Sequence, residues 1–165
     1  MARLHDIKRL WQKHVLAENR RSIPGLLATL VPWPVYTLMA DGRRFEGPEG
    51  VTRFYSGLFE GVPDATFDLK AAFVSEVGVV EESVLLGRQT GPLFDIPAGG
   101  RSISLPLTIV FPFDEAVGRF SGERLYFDLG TMQRQLGERQ LGERQPGERQ
   151  PSERQPGEHS LDNAG

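Results

Sequence analysis

Three polar side chains near the end of the last predicted strand have types and spacing suited to proton transfer. Arg124, Tyr126 and Asp128 occupy alternate positions, so a strand places them on one face and Leu125 and Phe127 on the other. If that first face lines a cavity, a partly desolvated Asp128 would have a raised pKa and could remove a proton next to a carbonyl group. Tyr126 or Arg124 could donate a hydrogen bond to the developing enolate oxygen. The alternative is a surface ion pair between Arg124 and Asp128.

A second group of residues could bind a ligand. Gln89 can orient a carbonyl group or a water molecule, although an amide does not titrate near neutral pH. Glu82 either lines the cavity or projects to solvent. Tyr36 and Tyr55 carry hydroxyl groups that need partners if they are buried. Three further candidates either line a cavity suited to an aromatic ligand or only fill the core: Phe59, Ile109 and Phe111.

Helices precede strands along the chain. Apolar residues recur at three- and four-residue spacing over residues 3–20, which predicts an amphipathic helix. Ser22 and Pro24 begin a short second helix, and a third runs over residues 48–61. Over residues 64–128 the apolar period changes from 3.6 to 2, which predicts strands. The apolar face of these strands must be covered, so we expect an α+β fold with helices on one face of a curved antiparallel sheet around a cone-shaped cavity.

Composition narrows the classes of function. The chain has 165 residues, 39% hydrophobic and 25% charged, which fits one domain over residues 1–136. The absence of cysteine excludes disulfides and thiolate nucleophiles, and a net charge of -3 makes nucleic acid a poor partner. His5 and His14 have no ligand cluster at suitable spacing, so no metal site is expected. No apolar run is long enough to cross a bilayer and no leader is evident, which favours a cytoplasmic protein without a membrane partner.

The last part of the chain is of low complexity. From Gly137 a five-residue unit repeats as GERQL, GERQP, GERQP and SERQP. Regular proline and the lack of apolar residues predict a disordered tail over residues 137–165. The alternative is a docking arm, because Glu and Arg alternate in the repeat.

Several motifs resemble one family. Glu82 is followed by GRQTGP at residues 87–92 and IPAGGR at residues 96–101, and the domain ends with RLYFD at residues 124–128 and QLG at residues 135–137. These pieces, in this order, resemble the SnoaL-like polyketide cyclases, or ester cyclases, of the nuclear-transport-factor-2-like superfamily. The tail has no counterpart in that pattern.

The resemblance implies a cone-like α+β barrel, also called cystatin-like, that is often dimeric through its sheet. It also implies metal-free and cofactor-free proton transfer by an acidic residue during an intramolecular aldol condensation, and Asp128 stands at the position of that acid. Gln89 stands where the family commonly has histidine, so proton shuttling at this position is lost.

Three hypotheses follow. The first is a lyase or isomerase that cyclises or isomerises a small hydrophobic carbonyl ligand, with Asp128 as acid and base. The second is a non-catalytic ligand-binding or dimerisation module of the same fold. The third is a hydrolase in which an acid and an arginine activate water on an epoxide. Whether the chain is an enzyme stays open at this point, and we expect a homodimer because Leu125 and Phe127 need cover.

Overall fold

Two of the helices pack against the inner face of a curved sheet. The computed structural model describes residues 3–137. In chain order the elements are α1 (Leu4–Asn19), α2 (Ile23–Leu27), β1 (Leu30–Leu38), β2 (Arg43–Glu46), α3 (Gly47–Gly61), β3 (Thr66–Ser75), β4 (Gly78–Arg88), β5 (Ser102–Asp114), β6 (Arg119–Phe127) and α4 (Leu129–Gly137). The predicted α+β order is confirmed. The predicted disordered tail lies outside the described residues, except for Gly137, which ends α4.

The helices begin where the sequence predicts them. The Ser22 hydroxyl accepts a hydrogen bond from the backbone N–H of Gly25 at 3.2 Å, which caps α2. Pro48 lies in the first turn of α3, where its missing N–H leaves no intrahelical bond unmade. α1 buries Ile7, Trp11 and His14 on one face, so its buried stripe contains polar as well as apolar residues.

Six strands form one sheet in the order β2-β1-β6-β5-β4-β3. Neighbouring strands are antiparallel, apart from β1 and β6, which are parallel. The prediction of an antiparallel sheet is therefore corrected at this ladder. Alternation of side chains is the same whichever way a neighbouring strand runs, so the sequence pattern carries no information about direction.

Irregularities in the ladders bend the sheet around the helices. The register shifts between Leu69 and Ala71 in β3 and between Val110 and Phe113 in β5. In β6, Gly122 has φ of 139°, and a Cβ there would lie 1.9 Å from the carbonyl oxygen of Val35. Bulges of this kind increase local twist and curvature. The result is an open cone, with α1 and α3 inside it.

α4 is an element that the sequence reading did not anticipate. Met132 and Leu136 are its buried residues. The side-chain amide of Gln135 exchanges two hydrogen bonds with the backbone of Ser104 in β5, at 2.8 and 2.9 Å. Over residues 3–137, none of the helices is long and apolar enough to span a bilayer.

The inward face of the sheet changes character along the strands. Tyr36 and Leu38 of β1 both face inward, as do Glu123 and Leu125 of β6. Side chains two residues apart on one strand lie about 7 Å apart. β1 and β6 therefore each carry a polar residue towards one end of the cone and an apolar residue towards the other.

Candidate active site

Polar side chains from every layer of the fold meet at one end of the cone interior. All of them are buried, with at most 8% of their surface exposed. We call this group the polar cluster: Trp11, His14 and Glu18 of α1, Thr29, Tyr36 of β1, Tyr55 of α3, Glu81 and Ser83 of β4, and Glu123 of β6.

The centre of the polar cluster is a contact between His14 and Glu123. His14 Nε2 lies 2.8 Å from Glu123 Oε1. His14 Nδ1 lies 2.6 Å from Thr29 Oγ1, and the Thr29 hydroxyl donates its own hydrogen to the carbonyl oxygen of Leu26. Nδ1 must therefore be the donor to Thr29. Nε2 and Oε1 cannot both be bare acceptors at 2.8 Å, so the two groups share one proton, either as an imidazolium–carboxylate pair or as a neutral imidazole with a carboxylic acid.

Two tyrosine hydroxyls surround this pair. The Tyr55 hydroxyl donates to Glu123 Oε1 at 3.0 Å, and it lies 3.2 Å from His14 Nε2. The Tyr36 hydroxyl lies 3.5 Å from both His14 Nε2 and the Tyr55 oxygen. Burial, reinforced by the charge of Glu123, raises the pKa of both tyrosines well above the usual value. Both therefore stay protonated and act as hydrogen-bond donors.

Two more carboxyl groups lie in the polar cluster. Glu81 accepts hydrogen bonds from the indole N–H of Trp11, at 2.9 Å, and from the hydroxyl of Ser83. Burial raises the pKa of Glu18 well above its usual value, and the carboxyl groups of Glu123 and Glu81 add to the shift. A carboxyl group with a raised pKa keeps its proton to a higher pH than an exposed one, and the protonated form can donate a hydrogen bond.

An apolar chamber of about 40 Å³ lies further along the same strands. We call the part of the cone interior that holds the polar cluster the narrow end, and the part that holds the chamber the wide end. Among the described residues its wall is entirely apolar. The wall includes residues that follow the polar cluster by two positions on the same strands, together with Phe54, whose neighbour in α3 is Tyr55: Leu38, Leu85, Leu125 and Phe54.

A wider space of about 210 Å³, which we call the mouth, continues from the chamber towards solvent. Leu38, Phe94, Phe127 and Met132 line both spaces. Polar side chains appear at the mouth, among them Arg43. Together the chamber and the mouth give the cone an apolar interior with a polar rim.

An open groove of about 570 Å³ lies elsewhere, between α1, α2 and the turn before β6. Lys13, Arg20 and Arg119 line it, and Thr29 contributes to its floor. It shares no lining residue with the chamber. His14 and Glu123 line neither space. We place the candidate site in the cone interior, because the chamber is built from the same strands, β1, β4 and β6, that carry residues of the polar cluster.

Arg124 and Tyr126 lie on the outer face of the sheet. Both are exposed, whereas Glu123 and Leu125 between and beside them point inward. Tyr126 lines a shallow surface depression with Lys70 and Glu82. The face that we considered as a cavity wall is therefore the outside of the cone, and this region of β6 contributes Glu123 to the interior instead.

Asp128 caps α4. Its carboxylate accepts a hydrogen bond from the backbone N–H of Thr131, and this bond, followed by the Thr131 side chain, lowers the pKa of Asp128 below 3.8. Its side chain is 70% exposed, and the nearest cation is Arg134 at 3.9 Å rather than Arg124. The desolvation that a raised pKa would need is absent here, and a catalytic role for Asp128 is untested.

Gln89 and Glu82 differ in location. Gln89 is fully buried, and its side-chain N–H groups donate to the carbonyl oxygens of Ile96 and Pro97 at 3.0 Å each. Its Oε1 has no hydrogen-bond partner among residues 3–137. Glu82 is exposed on the outer face. Gln89 therefore anchors the segment after β4. The sequence allowed Glu82 either to line the cavity or to project to solvent, and the structure shows the second.

Four of the other predicted ligand-binding residues are buried inside the cone, whereas Phe59 is half-buried and has the Arg21 guanidinium 4.7 Å from its ring centre. Tyr36 and Tyr55 belong to the polar cluster. Phe59 stacks on Tyr55 with ring centroids 5.6 Å apart. Ile109 and Phe111 are buried on the inward face of β5, and the Phe111 ring lies 5.4 Å from that of His14. Their roles in binding stay predictions.

Sequence reasoning missed His14 and Glu123, although each carries a signal. His14 lies seven residues after Ile7 and three after Trp11, which places it on the buried stripe of α1. Glu123 alternates in phase with Leu125 and Phe127 on an otherwise apolar face. A polar residue in phase with apolar residues is the pattern that would have found both.

The described residues contain no group of three or more His, Asp or Glu side chains placed to hold a metal ion. The acids of the polar cluster instead contact hydroxyl, indole and imidazole groups, which are hydrogen-bond partners. The arrangement is suited to moving protons.

An open cone of this topology is the nuclear-transport-factor-2-like fold, which solved structures of low sequence identity share. The family model for SnoaL-like polyketide cyclases matches residues 8–136. The chain therefore belongs to the SnoaL-like polyketide cyclase family, as the motifs indicated. No curated protein matches the chain.

Solved structures share the fold. TsrD from Streptomyces laurentii is 27% identical with a TM-score of 0.69, over 83% of this chain and 98% of TsrD. A SnoaL-like polyketide cyclase candidate from Jannaschia sp. CCS1 is 20% identical with a TM-score of 0.71, over 80% of this chain and 92% of that one. A protein with a ketosteroid isomerase-like fold from Catenulispora acidiphila, in complex with trimethylamine, is 15% identical with a TM-score of 0.62, over 78% and 92%.

Proposed function

We propose that this protein catalyses metal-free acid/base chemistry, an aldol-type cyclisation or an isomerisation, on a small carbonyl or polyketide-like substrate in the cone interior. The observation that carries the proposal is the buried contact of 2.8 Å between His14 Nε2 and Glu123 Oε1. The contact brings together an imidazole and a carboxyl group, two side-chain types that act as general acids and bases in enzymes. Membership of the SnoaL-like family supports the same class of reaction.

The reaction can be written with this pair alone. The pair takes a proton from the carbon next to the carbonyl group, which leaves an imidazolium and a carboxylic acid, and the C–H electrons move into an enolate. The Tyr55 hydroxyl, which lies 3.0 Å from Glu123 Oε1, is the donor that we assign to the enolate oxygen. In a cyclisation the enolate carbon forms a bond to a second carbonyl carbon of the same substrate, and the alkoxide formed there takes the proton back.

Hydrogen–deuterium exchange tests the proposal without knowledge of the natural substrate. We would follow the α-protons of 1-tetralone in D₂O by NMR, with wild type, Glu123→Gln and Asp128→Asn. A positioned base contributes about 10²- to 10⁴-fold, so we expect Glu123→Gln to lose about 100-fold of the protein-dependent exchange and Asp128→Asn to retain it. Loss in Asp128→Asn with retention in Glu123→Gln would instead support the acid that the sequence indicated.

A non-catalytic ligand-binding module is the second candidate. Two observations favour it: the chamber wall is apolar, and the hydrogen bonds of His14 and Glu123 are satisfied within the polar cluster. Ketone binding without α-proton exchange in wild type would identify this function. Water activation on an epoxide is a further alternative, supported by the buried carboxyl groups of Glu18, Glu81 and Glu123, and incorporation of ¹⁸O from water into a diol would reveal it.

A homodimer through the outer face of the sheet is part of the proposal. Phe73 is 60% exposed there and Tyr126 is 43% exposed, and apolar side chains at this density favour cover by a second subunit. Light scattering should give twice the chain mass, and Phe73→Glu should shift it towards the monomer. The cytoplasmic location stays a prediction from the sequence.

A further inference from the structure

We propose that Phe94 sets the size of the ligand, by dividing the cone interior into the chamber and the mouth and by moving outward to admit a compact carbonyl compound of two or three rings. The inference rests on the proposed function in its choice of ketones as ligands. It concerns binding, however, and does not require that His14 or Glu123 be catalytic.

The first observation is a mismatch of size. Pockets for small ligands usually hold about 300–1,000 Å³, whereas the chamber holds about 40 Å³. A polyketide-like molecule does not fit there. The mouth adds about 210 Å³, and the two spaces share a neck formed by Leu38, Phe94, Phe127 and Met132. Ligand entry into the chamber from the mouth therefore requires the neck to open.

The second observation singles out Phe94 among the four residues of the neck. Leu38 and Phe127 belong to strands and Met132 to a helix, whereas Phe94 lies in the irregular segment between β4 and β5. Its φ is +51°, in the left-handed region that non-glycine residues rarely adopt. Phe94 and Asp95 are the central residues of a tight turn that backbone hydrogen bonds of 3.0 and 2.9 Å between Leu93 and Ile96 close. The turn holds this backbone conformation, so the Phe94 side chain can move without a change in any strand or helix.

The third observation is a latch on the solvent side of Phe94. The Arg43 guanidinium lies 5.6 Å from the centre of the Phe94 ring, and it pairs with Asp95 at 2.6 Å and with Asp41 at 3.1 Å. The Asp95 side chain is 84% exposed, and an ion pair so open to solvent is weak. The base of the segment is held more firmly, because Gln89 bonds the carbonyl oxygens of Ile96 and Pro97 and Leu93 is buried. Because the ends of this segment are held in place and the Arg43–Asp95 ion pair is weak, the Phe94 side chain can move outward.

The test measures dissociation constants of cyclohexanone, 1-tetralone and 9-fluorenone, which have one, two and three rings, by calorimetry. We expect Phe94→Ala to bind 9-fluorenone about 10-fold more tightly than wild type, since a pocket discriminates by about this factor per small group, with cyclohexanone within about three-fold of wild type. Phe94→Leu should give an intermediate gain and covers the case in which the alanine variant does not fold. Phe67→Ala is the matched control, because Phe67 lines the chamber but not the neck.

A second pair of variants tests the latch. Arg43→Gln should tighten 9-fluorenone binding by about two- to five-fold. Loss of the exposed ion pair shifts the equilibrium between the closed and open positions of Phe94 towards the open one by about this factor. Arg44→Gln is its control, because Arg44 pairs with Glu46 at 2.9 Å and does not line the mouth. The proposal is overturned if Phe94→Ala keeps the wild-type order of affinities, if Phe67→Ala gives the same gain for the largest ketone, or if none of the variants binds any ketone. If binding shifts as expected but α-proton exchange is absent, the proposed catalysis fails and the role of Phe94 stands.

Discussion

The two ends of the cone interior are built from the same strands but on different principles. At the narrow end, polar side chains are buried and bonded to one another, with distances of 2.6 to 3.0 Å around His14 and Glu123. At the wide end, apolar side chains enclose a small chamber whose neck includes a residue from an irregular segment. Buried polar groups need partners at fixed distances, whereas apolar contacts are non-directional. The narrow end is thus suited to hold a proton in one place, and the wide end to accept molecules of more than one shape.

Removal of one partner at the narrow end should have the largest effect on stability. Glu123→Ala leaves His14 Nε2 and the Tyr55 hydroxyl buried without their hydrogen-bond partner, and breaking a buried pair in this way costs about 3 to 5 kcal/mol. Urea unfolding monitored by tryptophan fluorescence measures the loss. Arg124→Ala, next in the same strand but exposed, should stay within about 0.5 kcal/mol of wild type. A loss below about 1 kcal/mol for Glu123→Ala would show that the narrow end is open to water.

A cavity at the wide end should cost less. Leu125→Ala adds space beside the chamber, and such substitutions cost about 2 to 5 kcal/mol depending on how well the site collapses. We expect a value near about 2 to 3 kcal/mol, because the neck can move inward. Leu69→Ala, on an exposed leucine, is the control. If Leu125→Ala destabilised as much as Glu123→Ala, the contrast between a rigid and an adaptable end would not hold.

Glu18 provides a pH-dependent test of the narrow end. Its pKa is raised above 4.5 in the folded protein, so the folded state binds a proton that the unfolded state releases. The stabilisation is complete below pH 4.5 and is lost as pH rises towards the folded pKa, by up to about 1.4 kcal/mol per pH unit.

Glu18→Gln should therefore gain stability relative to wild type as pH rises from 5 towards neutral. Urea unfolding at pH 5, 6 and 7 gives the slope. Glu82→Gln, on the exposed outer face, should show no such trend. A flat difference between Glu18→Gln and wild type would mean that water reaches this carboxyl group.

Much of the fold follows from the local pattern of the sequence. The change of apolar period after residue 64 predicts where helices give way to strands, and Ser22 and Pro48 mark the helix starts that the structure shows. The family motifs near residues 87–101 and 124–137 lead to the same fold. Local patterns succeed here because helix capping and strand alternation depend on neighbouring residues.

The site depends on distant partners, which is why it was harder to predict. His14 and Glu123 are 109 positions apart, and the pattern of β6 alone does not say which of its faces lies inside the cone. The sequence correctly places Arg124 and Tyr126 on one face of β6. Leu125, on the opposite face, packs in the apolar interior, so the face with Arg124 and Tyr126 lies outside the cone. Asp128 then begins α4, a helix that the strand pattern did not show.

The parallel ladder between β1 and β6 has a consequence for the order of folding. It joins residues 30–38 to residues 120–125, and pairings between segments so far apart in sequence form slowly because a long loop must close first. β3 to β6 can pair in succession as hairpins, whereas His14, Tyr36 and Tyr55 meet Glu123 only when this ladder closes. On the ribosome, the proton-holding centre would therefore be assembled last, after nearly all of the domain has emerged.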